Sequence, residues 1–532
     1  MRTSNSFKNL ITSAFGRLLS IALGFAVRTV FLATLSEEYA GINGLLTSVL
    51  VMLTMTELGI GAAITYSMYK PVAEGDTEKT RSLLRLYRNA YRIIGIVAFV
   101  IGMAIVPFLH VFVKGSTDLV DLRIVFILYL LEMCSSYWMS YYSSVLFTEQ
   151  KDYVLSLISY VSSLISTVVK IVLLLALRRT PMLSFYCYAG TGFLTNMFNN
   201  FLIRWKVRRT FPWTRDLRAE PLPKEEKKSI YKNVVGMLFN KIATALNDGI
   251  DNMVVSAFIG LATVGVYSNY LMIKQYVSRF LSTLFGSVTA SIGNICAIES
   301  QEKKESFFRS LQFTYFWIYG FCAICFWTLF NSFIVGVWLH DTKWLLSDVD
   351  VFLVVFNFLI QGLVGAVVKY RDVNGLFWQT KFRYIFSSVF NAGFSIVLVG
   401  PCHMGITGAL LGTTASIIIL ISYDPVLVYR EVFHKKAGEY YRTYFLQLLL
   451  IMATGAVVHL LALPFRGYTV GNFAVRMVLC LAIPNGLWYL LYRKDPRFVY
   501  LRNTVTGFGR QLLHKLRKKS RPSGEEQIQE EK

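Results

Sequence analysis

Fourteen apolar runs constrain this chain more than any other feature of its sequence. Each run is about 20 residues or longer, which is the length an α-helix needs to cross the hydrocarbon core of a bilayer. Of the 532 residues, 54% are hydrophobic and 15% are aromatic, a composition typical of polytopic membrane proteins. The runs lie at residues 8–35, 43–69, 92–113, 121–148, 154–177, 183–203, 233–259, 264–296, 311–338, 348–368, 384–400, 405–429, 443–463 and 471–492. The sequence therefore predicts an all-α polytopic membrane protein with about fourteen spans.

The basic residues predict the orientation of these spans. When both termini are placed inside, the inner segments hold 41 of the 54 Lys and Arg residues, and the outer loops hold six. The positive-inside rule then predicts that both termini are cytoplasmic. The same distribution explains the net charge of +22, because most of these charges lie beside anionic membrane lipids. It therefore argues against a nucleic-acid partner.

The sequence also repeats itself with an offset of 224 residues. At this offset Arg17 aligns with Lys241 and Gly41 aligns with Gly265. The offset and the matching hydropathy predict two six-helix lobes that enter the membrane from the same side, related by a pseudo-twofold axis along the membrane normal. The predicted parts are an N-terminal lobe at 1–210, a basic cytoplasmic linker at 211–232, a C-terminal lobe at 233–430, two extra helices at 431–492 and a cytoplasmic basic and acidic tail at 493–532.

Two arginines in the first apolar run are the strongest candidate site residues. Arg17 and Arg28 are eleven residues apart, which is three helical turns with a drift of only about 20°. A guanidinium in a membrane helix costs about 2.5–3.5 kcal/mol on insertion scales, so this stripe is expected to face a water-filled cavity that suits an anionic cargo. Alternatively, the arginines pair with membrane carboxylates, or Arg17 extends towards the inner face.

The seventh apolar run carries a related set of charges. Lys241, Asp248 and Asn252 share one helix face, and Asp251 lies about a quarter-turn away. At the repeat offset Asn252 aligns with Arg28. Asp248 and Asp251 are predicted to neutralise the cations or to carry a coupling ion. The alternative is a static ion pair that holds the first and seventh helices together.

Further charges inside the apolar runs complete the candidate list. Lys274 is predicted to line the cavity, and Glu57 and Glu132 are predicted to act in ion coupling or charge pairing. A structural hydrogen-bonding role is the alternative for Glu57. The remaining cations of the spans are weaker candidates: Lys170, Arg279 and Arg476.

Sequence motifs for enzymatic chemistry are missing from the chain. It has neither a Walker A sequence nor a Gly-x-Ser-x-Gly motif, and its six histidines are dispersed. We therefore expect a protein that is not an enzyme and binds no cofactor or metal. The energy for any transport would come from a proton or sodium gradient, from the membrane potential or from downstream consumption of the product.

Four motifs near the start of the chain resemble a known family. They are Tyr39-Ala-Gly-Ile-Asn-Gly-Leu45, Glu57-Leu-Gly-Ile-Gly-Ala-Ala-Ile64, Tyr69-Lys-Pro71 and Tyr87-Arg-Asn-Ala-Tyr-Arg-Ile-Ile-Gly95. These motifs resemble the N-terminal region of Wzx-type polysaccharide flippases. These belong to the multidrug/oligosaccharidyl-lipid/polysaccharide (MOP) superfamily, which also contains MurJ and the MATE transporters.

The resemblance implies a function and a mechanism. It implies translocation of an undecaprenyl-pyrophosphate-linked oligosaccharide across the bacterial cytoplasmic membrane, by alternating access through a central cationic cavity. Polysaccharide polymerase or assembly proteins would be partners. The predicted substrate-binding residues are Arg17, Arg28, Lys241, Asn252 and Lys274. Two other functions stay open: a MATE-like ion-coupled antiporter of small molecules, and a non-transporting scaffold of a polysaccharide assembly complex.

Overall fold

The computed structural model of this chain consists of α-helices, and short 3₁₀- and π-helical segments follow several of them. It describes residues 2–54, 60–114, 119–149, 151–218, 250–286 and 288–503, together with positions 220, 222, 223, 225 and 506. No β-strand occurs within these ranges. The all-α prediction is therefore confirmed.

The helices follow the apolar runs closely. The first ten are α1 Arg2–Thr34, α2 Glu37–Leu53, α3 Ile60–Glu74, α4 Thr77–Ile105, α5 Leu122–Met139, α6 Tyr141–Thr148, α7 Asp152–Ala176, α8 Pro181–Thr210, α9 at residues 250–258 and α10 Leu261–Gly286. The other eight are α11 Thr289–Ile298, α12 Gln301–Phe333, α13 Asp348–Leu363, α14 Gly365–Val373, α15 Phe377–Val399, α16 Gly405–Val428, α17 Gly438–Ala462 and α18 Val470–Tyr492.

Many of these helices suit a bilayer. Seven of the described helical segments are long and apolar enough to cross a membrane, and there are eight if the bent pair α13 and α14 counts as one span. Two shorter apolar helices lie at Leu18–Thr34 and Ile385–Val399. These results establish a polytopic membrane protein. The number fourteen stays a prediction, because part of the chain, including residues 226–249, lies outside the described ranges.

One predicted span consists of two helices. Residues 121–148 form α5 and α6, which meet at Ser140. Around this junction the hydroxyls of Ser135, Ser136 and Ser144 donate to backbone carbonyls three residues earlier. Such bonds compete with the helical ladder and favour a bend, and hydropathy does not report them.

Another predicted span bends. α13 and α14 meet at an angle of 40°. Gly362 and Gly365 flank the bend, and a Cβ atom at either position would collide with a tyrosine ring of α12, Tyr319 or Tyr315 respectively. The bend therefore brings the helix backbone directly against two aromatic rings.

The chain divides into two compact units. Unit 1 comprises Met1–Ser287, Trp338–Asn357 and Gly375–Tyr423, and unit 2 comprises Val288–Val337, Phe358–Asn374 and Asp424–Lys532. Helices α13 and α16 therefore contribute residues to both units. The predicted lobe boundaries rest on the sequence repeat rather than on compactness, and they stay a prediction.

Within unit 1, α2 and α10 cross at two glycines that the repeat places in equivalent positions. A Cβ atom on Gly41 would collide with the backbone of Leu261, and one on Gly265 would collide with the backbone of Glu37. Glu37 and Leu261 are themselves 224 residues apart. The contact is therefore reciprocal, as a twofold relation between the repeats requires.

This crossing gives a first testable prediction. Gly41→Val should destabilise the folded chain by about 2 kcal/mol or more, because a side chain that meets backbone forces the helices apart. Gly393→Val is the matched control, since nothing lies within 4 Å of a Cβ atom there. Thermal unfolding in detergent measures both variants. Equal unfolding temperatures for the two would contradict the tight crossing.

Unit 2 contains a buried ion pair beside its aromatic core. Arg371 of α14 donates through Nη1 to Asp424 of α16 at 2.9 Å, and through Nη2 to Asp372 at 2.6 Å. Arg371 is 3% exposed and Asp424 is fully buried. The pair joins α14 to the end of α16 that belongs to unit 2, away from water.

Candidate functional site

Arg28 lies where α1 faces α10 in unit 1. Its Nε donates to Asn269 Oδ1 at 2.9 Å, and its Nη2 donates to Ser268 Oγ at 2.6 Å. Both partners are neutral. Among the described residues, no carboxylate forms an ion pair with Arg28, so the guanidinium is oriented while its charge has no described counter-ion.

Aromatic side chains surround this guanidinium. The hydroxyls of Tyr129, Tyr188 and Tyr276 lie near enough to interact with it electrostatically. The ring centroid of Phe31 lies 5.7 Å from the guanidinium carbon. These residues come from four helices, α5, α8, α10 and α1.

A second cation lies in the same region. The Nζ atom of Lys170, on α7, is 4.7 Å from the ring centroid of Tyr188. Lys170 also interacts electrostatically with Glu132 of α5, although the two form no ion pair within 4 Å. We name Arg28, Tyr129, Glu132, Lys170, Tyr188 and Tyr276 the Arg28 cluster. It holds two cations and one carboxylate, and it is therefore cationic.

Glu132 has little room to move within the cluster. A Cβ atom on Gly192 of α8 would collide with the Glu132 carboxylate. The Glu132 backbone carbonyl accepts a hydrogen bond from Asn196 Nδ2 at 3.0 Å. The carboxylate therefore rests on the α8 backbone at a position where only glycine leaves space.

On α9, Asn252 and Asp251 each hydrogen-bond to a hydroxyl of another helix. Asn252 Nδ2 donates to Ser48 Oγ on α2 at 2.9 Å. Arg28, its repeat equivalent, makes the corresponding contact from α1 to α10. Asp251 accepts from Thr413 Oγ1 on α16 at 2.9 and 2.8 Å. Asn252 is thus built into a helix contact equivalent to that of Arg28, and both of its helices belong to unit 1.

Lys274 lies on α10 but not on the face that meets Arg28. It is half-buried, and it is two residues before Tyr276, which places it about 200° around the helix from that tyrosine. Its role in substrate binding stays a prediction. Three other candidates lie outside the described part of the chain: Glu57, Lys241 and Asp248. The side chain of a fourth, Arg17, also lies outside it.

Two cations that ranked as weaker candidates in the sequence lie in or beside the Arg28 cluster. Lys170 belongs to the Arg28 cluster, and Arg279 interacts electrostatically with Tyr276. Arg476, by contrast, donates to the backbone carbonyls of Phe465 and Thr328 in unit 2. A lysine on α7 and aromatic residues on α8 were the sequence signal for a cation–π contact of Lys170. The sequence does not show which ring lies beside it.

Comparison with a protein-family model assigns the chain to a family. The model described as "Polysaccharide biosynthesis protein" matches residues 6–290, which is more than half of the chain. The chain belongs to this family. The resemblance to Wzx-type proteins is therefore confirmed. No curated protein sequence matches this family member significantly.

Solved structures show the same fold. The lipid II flippase MurJ in an inward closed conformation is 14% identical, with a TM-score of 0.62 over 91% of this chain and 98% of that one. An inward-facing MATE family multidrug transporter of the MOP superfamily is 15% identical, with a TM-score of 0.58 over 78% and 98%. The Vibrio cholerae MATE transporter VcmN is 12% identical, with a TM-score of 0.54 over 82% and 99%. At these identities the likeness establishes the fold alone.

Proposed function

We propose that this family member is a flippase for an undecaprenyl-pyrophosphate-linked oligosaccharide, a repeat unit of a surface polysaccharide. The single observation that carries the proposal is Arg28, an oriented guanidinium inside the apolar helix Leu18–Thr34 with no carboxylate partner among the described residues. Such a charge is costly in a membrane, and a pyrophosphate would supply the missing counter-ion. The polysaccharide family and the fold shared with MurJ support this cargo.

The geometry of Arg28 suits a phosphate ligand. A guanidinium has five N–H donors, and the two described hydrogen bonds use two of them. Three donors therefore remain for phosphate oxygens, in the fork arrangement that binds phosphate well. Lys170 adds a second positive charge, and the half-buried rings of Tyr188 and Tyr276 would be the surfaces on which the first sugar stacks.

Translocation in this proposal follows alternating access. The cationic site replaces the water shell of the pyrophosphate while the prenyl chain stays in lipid. A proton or sodium gradient drives the cycle, with Glu132 or Asp251 as the group that carries the coupled ion. Arg17 and Lys241 stay predicted substrate-binding residues in this scheme.

The surroundings of the protein follow from the same proposal. We place the chain in the bacterial cytoplasmic membrane with both termini cytoplasmic, because that orientation puts 41 of the 54 Lys and Arg residues inside. A polymerase that joins the repeat units would act on the flipped product outside and is the expected partner. Neither a cofactor nor catalysis is part of the scheme.

A transport assay tests the proposal. Purified chain in proteoliposomes receives a fluorescent pyrophosphate-linked prenyl oligosaccharide, and its appearance in the opposite leaflet is followed. Flipping above protein-free vesicles supports the proposal. Proton-coupled uptake of small cations without lipid flipping would instead indicate a MATE-like antiporter, and no transport by folded protein would indicate a scaffold.

Glu132 provides a test of the coupling step. Glu132→Gln should remove the acceleration of flipping by a proton gradient and keep the gradient-independent rate, because an amide cannot release the coupled proton. The assay compares vesicles with and without an imposed pH difference. Asp121→Asn, at the exposed start of α5, is the control and should behave as the parent. Full gradient acceleration in Glu132→Gln would exclude this carboxylate as the coupling group.

A further inference from the structure

An arginine-lined groove lies at the end of α8 in unit 1. It spans the last turns of this helix and the following turn Pro212–Arg215, and its volume is about 610 Å³. Its lining consists of Phe201, Arg204, Trp205, Arg208, Arg209 and Arg215. We name it the arginine groove. The described lining holds four cations and no carboxylate.

The arginines of the groove are held by neutral groups. Arg208 Nε donates to Tyr142 Oη at 3.1 Å, and Arg215 Nε donates to the Arg208 carbonyl at 3.3 Å. The guanidinium of Arg209 lies 5.5 Å from the ring centroid of Trp205. No ion pair between these four arginines and a carboxylate occurs among the described residues. Four like charges in one groove therefore favour an anionic ligand.

An exposed apolar stripe leads along α8 into the groove. Leu194, Phe198, Phe201 and Trp205 are 66%, 42%, 60% and 52% exposed. Their spacings of four, three and four residues put them on one helix face, and the last two also line the groove. An apolar face that ends in a cluster of cations matches an amphiphile with a phosphate head and an acyl tail.

The groove is distinct from the Arg28 cluster. Tyr188 of that cluster lies on α8, twenty residues before Arg208. At a rise of 1.5 Å per residue, the two positions are about 30 Å apart along the helix, which is the thickness of the hydrocarbon core. Tyr188 lies near the start of α8 and the groove at its end, which places the groove at the level of lipid head groups.

We propose that the arginine groove binds an anionic glycerophospholipid from the membrane leaflet that lies next to the groove. Its phosphate lies among Arg204, Arg208 and Arg209, and an acyl chain follows the stripe from Trp205 towards Leu194. Tryptophan is enriched at head-group level, and basic pockets at helix ends bind anionic head groups. This site needs no assumption about what the protein transports.

Lipid binding to the delipidated full-length chain tests the proposal. Phosphatidylglycerol and phosphatidylcholine are titrated separately, and bound lipid is counted by native mass spectrometry. The parent should prefer phosphatidylglycerol. The triple variant Arg204→Gln/Arg208→Gln/Arg209→Gln should bind it roughly 100-fold more weakly, since each interfacial arginine strengthens binding to anionic lipid several-fold.

A matched variant separates the groove from general charge. Lys114→Gln/Arg178→Gln/Arg179→Gln removes the same charge away from the groove, with Arg178 and Arg179 at the opposite end of α8, and it should bind phosphatidylglycerol as the parent does. An equal loss in this control, or equal binding of the two lipids by the parent, would overturn the proposal.

Two competitors distinguish the source of the phosphate. Inorganic phosphate should displace phosphatidylglycerol only weakly, because it has no acyl chain for the stripe. A prenyl pyrophosphate should compete no better than phosphatidylglycerol itself. Strong displacement by inorganic phosphate would exclude a lipid site, and a much higher affinity for the prenyl pyrophosphate would make the groove a cargo site instead. Unfolding temperatures confirm that the triple variant is folded.

Discussion

Arg28→Gln should slow flipping of the pyrophosphate-linked lipid by about 10- to 100-fold. A hydrogen bond to a charged group contributes about 1.5–3 kcal/mol, and each 1.4 kcal/mol is a factor of ten. The glutamine amide can still donate to Ser268 or Asn269, so the contact between α1 and α10 is expected to survive. The rate is measured in proteoliposomes at equal amounts of folded protein.

Two further variants make this result specific. Arg28→Lys keeps the charge but loses the planar fork, and it should recover part of the rate. Arg178→Gln removes an exposed arginine from the turn before α8 and should flip as the parent does. If Arg28→Gln flips at the parent rate, the pyrophosphate site lies elsewhere, and Lys170 and Arg17 become the next candidates.

Much of the fold could be predicted from the sequence because its main signals are local. Apolar length predicts membrane helices, and a constant offset predicts internal symmetry. Gly41 and Gly265 show how far this reaches, since they align in the sequence and then occupy reciprocal positions at one helix crossing. The break at Ser140 could not be predicted in the same way, because it depends on hydroxyl hydrogen bonds that hydropathy ignores.

The candidate site was harder to predict because it depends on which helices are neighbours. Helical periodicity gives the face on which Arg28 lies, but not the residues opposite it. Ser268 and Asn269 are polar yet uncharged, so they attract little attention in a sequence. Lys170 was a weaker candidate in the sequence, and only the packing of α7 against α8 brings it to Tyr188. The positive charge of the candidate site could therefore be predicted from the sequence, whereas the residues that form it could not.

The buried pair in unit 2 leads to the largest expected effect on stability. Asp424→Ala should destabilise the folded chain by about 3–5 kcal/mol, because it leaves a buried guanidinium without one of its carboxylates. Arg371 is only 3% exposed, so water cannot take the place of that partner easily. Thermal and denaturant unfolding in detergent measure the loss. Glu302→Ala, on the exposed first turn of α12, is the control and should change stability little.

Removing both charges distinguishes two contributions to the free energy of unfolding: the cost of one buried unpaired charge, and the stabilisation by the ion pair itself. Arg371→Met/Asp424→Leu should be clearly more stable than Asp424→Ala, since apolar side chains of similar volume can replace a buried ion pair at little cost. A double variant as unstable as the single one would mean that the pair itself holds α14 and α16 together. Flipping by the folded double variant then decides between two kinds of intramembrane charge. A parent rate assigns Arg371 to structure, in contrast to Arg28, for which the described hydrogen-bond partners are neutral and a loss of flipping is expected.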